Sequence, residues 1–359
     1  MTIVYYISGH GFGHARRSAQ VMRQLLLRRP DIRLVIRTTA PPAIFHLLPA
    51  ASVRHVSVSL DQEVIENDPL TIDIQRCVQA MQAFLSERQQ RVAAEVASLR
   101  PAAPSLILAD ASFLAGDVAE ALGVPCYAVT NFTWDWIYEG FMSRNDGALL
   151  EPVRCSYARM TGLLRIPFGG VGRFQRIFDV PLVTTQSRRP RDCIERQLSV
   201  REDRRPRCLV GMRGGVAERI IARAAAESPD TLFLVPSRLQ SPMPDNVKCC
   251  PTGPDLDFSD IVRVSDVVLS KLGYGILADC LAERVALLWP RRHGFVEDEV
   301  SRPLAERHIA MLELPHEDFF NGHWGYWIRR VIAQPRPSEP VRTDGAEVCA
   351  DLLLSLAGD

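Results

Sequence analysis

The chain has 359 residues, 47% hydrophobic and 23% charged, with 42 basic and 42 acidic side chains and a formal net charge of zero. That length exceeds one ordinary core and suits two domains of a water-soluble globular protein, and the charge balance excludes the overall basic footprint of a nucleic-acid binder. No apolar run approaches the roughly 18 residues of a membrane span and no signal peptide is evident, while nine cysteines without CxxC or zinc-ligand spacing point to free thiols in a reducing, cytoplasmic setting.

Residues 3–8 predict a strand that runs into the glycine-rich stretch "SGHGFGHARRS". A helix follows over 17–28, with Val21, Leu25 and Leu26 on one face. Strands are expected at 33–38 and 53–60, a short helix at 43–48, and one long amphipathic helix over 74–99. Next come a buried strand at 105–109, a helix at 114–122 and a strand at 124–129. The stretch 166–190 is rich in Gly, Pro and Arg and predicts a linker. The alternation then restarts, with strands at 208–212, 231–235, 247–250, 267–270 and 286–289. Helices are expected at 216–226, 258–264 and 276–282, and a terminal helix at 346–356. Strands alternating with helices imply parallel sheets covered on both faces. The expected organisation is a first Rossmann-like domain over 1–165, the linker 166–190, a second domain over 191–335, and a terminal segment 336–359. The ligand site is expected in the cleft between the halves.

The first glycine loop carries Gly9, Gly11 and Gly13 with His10 and His14. Glycines there let backbone N–H groups approach an anion or a sugar, and the helix N-terminus adds partial positive charge. The dinucleotide pattern GxGxxG is not met, since its third glycine falls on His14 or Arg16. A plainer alternative is a tight turn whose histidines cap the helix. A second loop, "SKLGYGILAD", sets Lys271, Gly273, Tyr274 and Gly275 between a strand and a helix, with Asp279 one turn on. A third ends a strand with Arg213, Gly214 and Gly215. Three such loops suit a nucleotide carrying a second group. The stretch "WPRRHGFVEDE" adds Arg291 and Arg292, then Glu297 and Asp298 as acceptors for sugar hydroxyls, or else a solvated charged loop. Asp110 ends a buried strand, where a carboxylate points to function. Asn131, Trp134 and Asp135 are acceptor-side candidates, the aromatics equally readable as core. Asp255 and Asp257 resemble a metal-binding DxD but precede a helix, where N-capping explains them.

The strings "YYISGHGFGHARR", "LDQEVIENDPLTID", "VTNFTWDWIY", "SKLGYGILADCLA" and "PRRHGFVEDE" resemble the glycosyltransferase-like N-terminal region of plant and bacterial L-arabinokinases. The likeness runs in order from residue 5 to residue 324, and the closing helix fits as well. It implies the GT-B fold, two Rossmann-like domains with a C-terminal helix returning to the first. The chain is more distantly similar to the N-acetylglucosaminyltransferases of lipid II synthesis. It is also similar to the nucleotide-sugar hydrolases of nonulosonic acid synthesis, whose GxGHxxR motif is met by Gly11, Gly13, His14 and Arg17. Kinase activity is not expected, because no second phosphate loop precedes Asp359. Two departures from the family touch the donor site: Asp279 stands where glutamate is usual, and Met212-Arg213 where Asn-Phe is usual.

The reading that results is a nucleotide-sugar glycosyltransferase that needs no metal and no cofactor beyond its donor, acting on a small-molecule hydroxyl or amine, with inversion. His14 is the expected base, with Asp110 as its orienting carboxylate or the base itself. His10 positions the sugar or diphosphate. Two alternatives remain open at this point: a nucleotide-sugar hydrolase or epimerase, and a non-catalytic nucleotide-sugar sensor or partner protein.

Overall fold

The computed structural model describes residues 1–212 and 216–358, with the backbone alone at 144–146. The first half contains β1 (Thr2–Ile7), β2 (Arg33–Arg37), β3 (Val53–Val56), a small hairpin of β4 (Glu66–Asp68) and β5 (Thr71–Ile72), β6 (Leu106–Asp110), β7 (Cys126–Thr130), β8 (Gly162–Arg165) and β9 (Ile177–Asp179). The hairpin aside, these strands form a seven-stranded sheet in the order β3-β2-β1-β6-β7-β8-β9, every neighbouring pair parallel. The second half contains β10 (Arg207–Val210), β11 (Leu232–Val235), β12 (Val247–Cys249), β13 (Val267–Leu269), β14 (Ala286–Pro290) and β15 (Met311–Leu314). They form a second parallel sheet in the order β12-β11-β10-β13-β14-β15.

The central strands are near-continuous runs of β-branched and apolar residues. β6 is fully buried, as parallel strands covered on both faces must be. Both sheets reverse their winding between the first strand and the fourth, at β1/β6 and at β10/β13. Loops leaving the carboxyl ends of such a pair diverge and open a crevice. The fold therefore brings the β1, β6 and β13 loops to facing crevices.

The halves share apolar packing. One buried cluster runs from β1 and the first helix, Gly11–Arg28, through Tyr274, Leu277 and Leu281 of the helix Tyr274–Glu283. The terminal helix, Gly345–Gly358, joins it with Cys349, Ala350 and Leu353. This helix lies on the first one, where Gln24 donates to Glu347 at 2.8 Å and Arg28 to Asp351 at 2.5 Å. The chain thus ends against the domain in which it began. Among the described residues no helix is long and apolar enough to cross a membrane.

Three expectations are corrected. Residues 177–179, expected inside the linker, form β9 and extend the first sheet. The helix expected over 74–99 is two helices, Ile74–Ser86 and Arg88–Leu99, meeting at Glu87. There Ser86 Oγ bonds the Ala83 carbonyl at 2.7 Å, a local alternative to helix continuation. The strand expected over 53–60 stops at Val56, and the chain leaves the sheet edge to build the β4–β5 hairpin.

Candidate active site

β1 delivers Ser8 to the top of the first sheet, and the chain turns through Gly9 into the first helix. A Cβ at Gly9 would overlap Thr39 Oγ1, at 2.0 Å, so the turn requires glycine. Gly11 opens the helix at φ +76°, in the left-handed region that glycine enters without strain. His14 and Arg17, three apart, share one helix face and are both buried. β6 sits beside β1 in the sheet and places Asp110 beneath that face.

Asp110 is completely buried. It accepts from Arg17 Nε at 2.7 Å, Arg17 Nη2 at 2.5 Å and Ser18 Oγ at 3.1 Å. Its Oδ1 also lies 2.8 Å from His14 Nδ1. Burial opposes ionisation, but the Arg17 guanidinium and His14 more than offset it and hold the carboxyl well below the usual carboxylate range. An ionised carboxylate only accepts, so the Nδ1 proton of His14 points at Asp110. Arg17 Nη2, at 3.1 Å from the same nitrogen, is the more distant neighbour. In a neutral ring this tautomer leaves the lone pair on Nε2, which has no hydrogen-bond partner among the described residues. The next residue, Ala111, has φ +62°, a costly conformation for alanine, and its carbonyl is fixed by Tyr157 Oη at 2.6 Å.

His10 caps the first helix by position. Its ring lies edge-on to Trp134, centroids 5.5 Å apart, and its Nδ1 is 3.5 Å from Glu63. Trp134 is buried, with Nε1 donating to Asp61 at 2.9 Å, so it braces His10 and does not form an open acceptor wall. Burial and the neighbouring Glu63 raise the pKa of Asp61. Asp135 faces away from this group, against the Gly172 backbone and 4.0 Å from Arg154. Asn131 does join the group, accepting from Arg17 Nη1 at 2.6 Å.

The facing loop comes from the second sheet. Gly273 precedes the helix Tyr274–Glu283, and a Cβ there would meet nothing within 4 Å. Gly275 meets Gly13 across the cleft, where a Cβ on Gly275 would stand 3.1 Å from Gly13 Cα. Tyr274 Oη donates to the Val183 carbonyl, which fixes its ring beneath the Arg17 guanidinium at 4.7 Å. Lys271 Nζ pairs with Glu66 of the hairpin at 2.8 Å. Leu70, at the hairpin turn, is wholly buried within the second domain's core, and its carbonyl accepts from His293 N at 2.9 Å. Asp279 is held by Arg16 at 2.8 Å and by Thr184 at 3.2 Å, so both its oxygens are engaged, and burial raises its pKa. Arg16 also reaches Asp257 at 3.0 Å, while Asp257 caps the helix Phe258–Val264 in a capping box with Asp260.

Arg292, Glu297 and Asp298 form a buried cluster. Arg292 donates to Glu297 at 3.0 Å, to Asp298 and to the Leu272 carbonyl, with its guanidinium over Phe295. Arg291 stands apart, half-exposed, on Glu299 and Glu313. Arg213, Gly214 and Gly215 lie outside the described residues.

Sequence reasoning did not mark Arg16, Asp61, Glu63 or Glu66 as site residues, and placed Arg17 there only through a resemblance. The i, i+3 spacing of His14 and Arg17 was the available signal for Arg17. Arg16 and Glu66 act across the cleft, while Asp61 and Glu63 reach Trp134 and His10 from a distant loop of the first domain, and no local pattern encodes either kind of contact.

No family profile matches the chain. It is 26% identical to L-arabinokinase of Arabidopsis thaliana over 366 residues, covering 99% of this chain and 34% of that protein. The chain is homologous to the N-terminal region of that enzyme and spans about a third of its length. Among solved structures it is similar to CalG4, the calicheamicin glycosyltransferase, with a TM-score of 0.64, 17% identity, and coverage of 99% of this chain and 98% of that one. It is similar to the spinosyn rhamnosyltransferase SpnG, with a TM-score of 0.62, 15% identity, and coverage of 100% and 96%. It is also similar to Arabidopsis thaliana UGT89C1 complexed with UDP, with a TM-score of 0.60, 14% identity, and coverage of 99% and 94%. The two sheets and their connection are the GT-B fold.

Proposed function

We propose that this chain is a glycosyltransferase that moves a sugar from a nucleotide diphosphate to a small-molecule hydroxyl or amine. The observation that carries the reading is the His14–Asp110 pair, at 2.8 Å, on one lip of a cleft whose other lip is the Lys271–Gly275 loop. Of the similar solved structures, CalG4 is a glycosyltransferase, SpnG is a rhamnosyltransferase and UGT89C1 is complexed with UDP, which supports the donor class.

In this reading the acceptor O–H gives its proton to His14 Nε2 as its oxygen bonds the anomeric carbon. The bond from that carbon to the diphosphate breaks, and the leaving diphosphate takes the electron pair. Asp110, ionised and fixed by Arg17, holds the ring and stabilises the imidazolium that forms. Direct displacement inverts the anomeric centre. Charge on the leaving group meets the N-terminus of the helix Tyr274–Glu283 and Lys271, which supports a reaction without a metal ion. Asp257, the residue that resembled a metal ligand, is engaged as a helix cap and a partner of Arg16. The nine free cysteines fit a reducing compartment.

A second reading, hydrolysis of the same donor, draws on one observation: the acceptor-side candidate Trp134 is buried, and the hairpin seats Leu70 in the core of the second domain. A panel of UDP-, GDP-, dTDP- and CDP-sugars in a thermal-shift assay tests the donor site, since binding to the native state raises the melting temperature. Incubation of the stabilising donor with and without candidate acceptors then separates transfer from release of free sugar. A panel with no stabilising donor overturns both readings.

A further inference from the structure

Asn131 lies between the catalytic group of the first domain and the acidic first turn of the second-domain helix Val296–Ala305. Its Oδ1 accepts from Arg17 Nη1 at 2.6 Å, and its Nδ2 donates to Glu297 Oε1 at 3.2 Å and to the Phe168 carbonyl at 3.0 Å. A guanidinium only donates, and a carboxylate and a carbonyl only accept, so the orientation of the amide is fixed by its partners. Glu297 Oε2 is taken by Arg292, so Glu297 has one oxygen on each side of the junction. All of these side chains are buried: Asn131 is 1% exposed, Glu297 6%, Arg292 4% and Arg17 4%. The result is a continuous polar chain, His14–Asp110–Arg17–Asn131–Glu297–Arg292–Asp298, that crosses the cleft.

A second feature shows that the crossing is built and not incidental. Phe168 has φ +65°, a left-handed conformation that a bulky side chain adopts only when its surroundings enforce it. The enforcing contacts come from both domains. Its carbonyl accepts from Asn131 Nδ2 and from Ser301 Oγ, at 3.0 Å each, Ser301 lying on the second-domain helix Val296–Ala305. Gly169 beside it must lack a side chain, because a Cβ would stand 2.1 Å from the Asn131 carbonyl oxygen.

We infer that Asn131 and Glu297 are positioning residues that couple closure of the two domains to the catalytic pair. With the domains closed, Glu297 holds the Asn131 amide, the amide holds Arg17, and Arg17 fixes Asp110 and through it the His14 ring. With the domains apart, Nη1 of Arg17 loses its fixed acceptor and the ring its orientation. Glu297 then serves the reaction through Asn131, with one oxygen on the amide and the other on Arg292. This inference rests on the transferase reading for its kinetic arm alone.

The test compares Glu297→Gln, Asn131→Asp and the double variant in the full chain. The carboxylate introduced at position 131 still accepts from Arg17 but repels both Glu297 and the Phe168 carbonyl. In the double variant the amide introduced at position 297 donates to that carboxylate, restoring the bridge with its polarity reversed. Hydrogen exchange is measured first, without substrate. Each single variant is expected to raise exchange at least fivefold in residues 8–18, on the far side of the cleft from Glu297, and the double variant to recover part of the protection that Asn131→Asp loses. For the donor found in the thermal-shift panel, Glu297→Gln is expected to lower kcat at least tenfold with donor KM within about twofold. Exchange that rises only in 292–299 for Glu297→Gln, a double variant no better than Asn131→Asp, or a donor KM that rises with kcat unchanged overturns the inference. Should Asn131→Asp fail to fold, the isosteric Glu297→Gln decides by the same exchange and kinetic criteria. If no nucleotide sugar turns over, the transferase reading fails while the exchange arm still judges the bridge.

Discussion

Arg16 Nη1 donates to Asp279 Oδ2 at 2.8 Å, joining two residues 263 apart in sequence that belong to different domains. The guanidinium also reaches Asp257, so one side chain of the first helix clamps two helices of the second domain. Asp279 is almost wholly buried, and removal of its cation leaves a desolvated carboxylate without a charge partner. Arg16→Ala is therefore expected to lower unfolding stability by about 3 kcal/mol in urea titration. Arg16→Lys, which cannot fork to two carboxylates, should fall between the alanine variant and the parent. A loss under ~0.5 kcal/mol, the scale of exposed pairs, would show that the clamp is not formed in solution.

Asp110 makes a contribution to stability that depends on pH. Its carboxyl is held below its unfolded value, so the ionised form favours the fold at neutral pH. That contribution is complete above the unfolded pKa of about 3.9 and is lost as pH falls from there toward the folded value. Asp110→Asn should be clearly less stable than the parent at pH 7, and the gap should narrow below about pH 4. Chemical denaturation at pH 7, 5 and 3.5 measures it. A gap that stays constant to pH 3.5 would mean that Asp110 is not ionised against Arg17.

Much of this site was legible in the sequence. The strand–glycine–helix pattern located His10 and His14, and the apolar run ending in Asp110 located the carboxylate. Their meeting follows from a fold rule, since the first and fourth strands of such a sheet are neighbours at the switch point. Contacts made across the cleft were not legible. Glu66 and Lys271 are 205 residues apart, and Leu70 packs in a core built by the other half of the chain. No periodicity predicts how two domains face each other. The same limit made Trp134 readable as an acceptor wall, because only the fold shows that it is buried with its indole nitrogen held by Asp61.

The proposed donor loop separates two glycines that look equivalent in the sequence. Gly273 has open space around its Cβ position and an ordinary extended backbone. Gly273→Val should fold normally, keep its melting temperature within about 2 °C, and weaken nucleotide binding at least tenfold in calorimetry by blocking the approach to the helix N-terminus. Gly275→Val presses on Gly13 of the other domain, so a loss of binding there is expected together with a lowered melting temperature. Unchanged nucleotide affinity in Gly273→Val would move the donor site away from this loop.

Metal removal distinguishes the electrostatic scheme. Positive potential at the leaving group is assigned to Lys271 and a helix terminus, so turnover should survive excess EDTA with less than a twofold change. Abolition by EDTA with rescue by Mg²⁺ or Mn²⁺ would show that these groups do not suffice.

In the proposed transfer His14, oriented by Asp110, takes the acceptor proton. Steady-state kinetics of His14→Ala, paired with calorimetric titration of the donor, tests it most directly. A fall in kcat of about 10²–10⁴-fold is expected, the range for loss of a general base, with donor affinity within about twofold of the parent. A His14→Ala enzyme that turns over at the parental rate would contradict it.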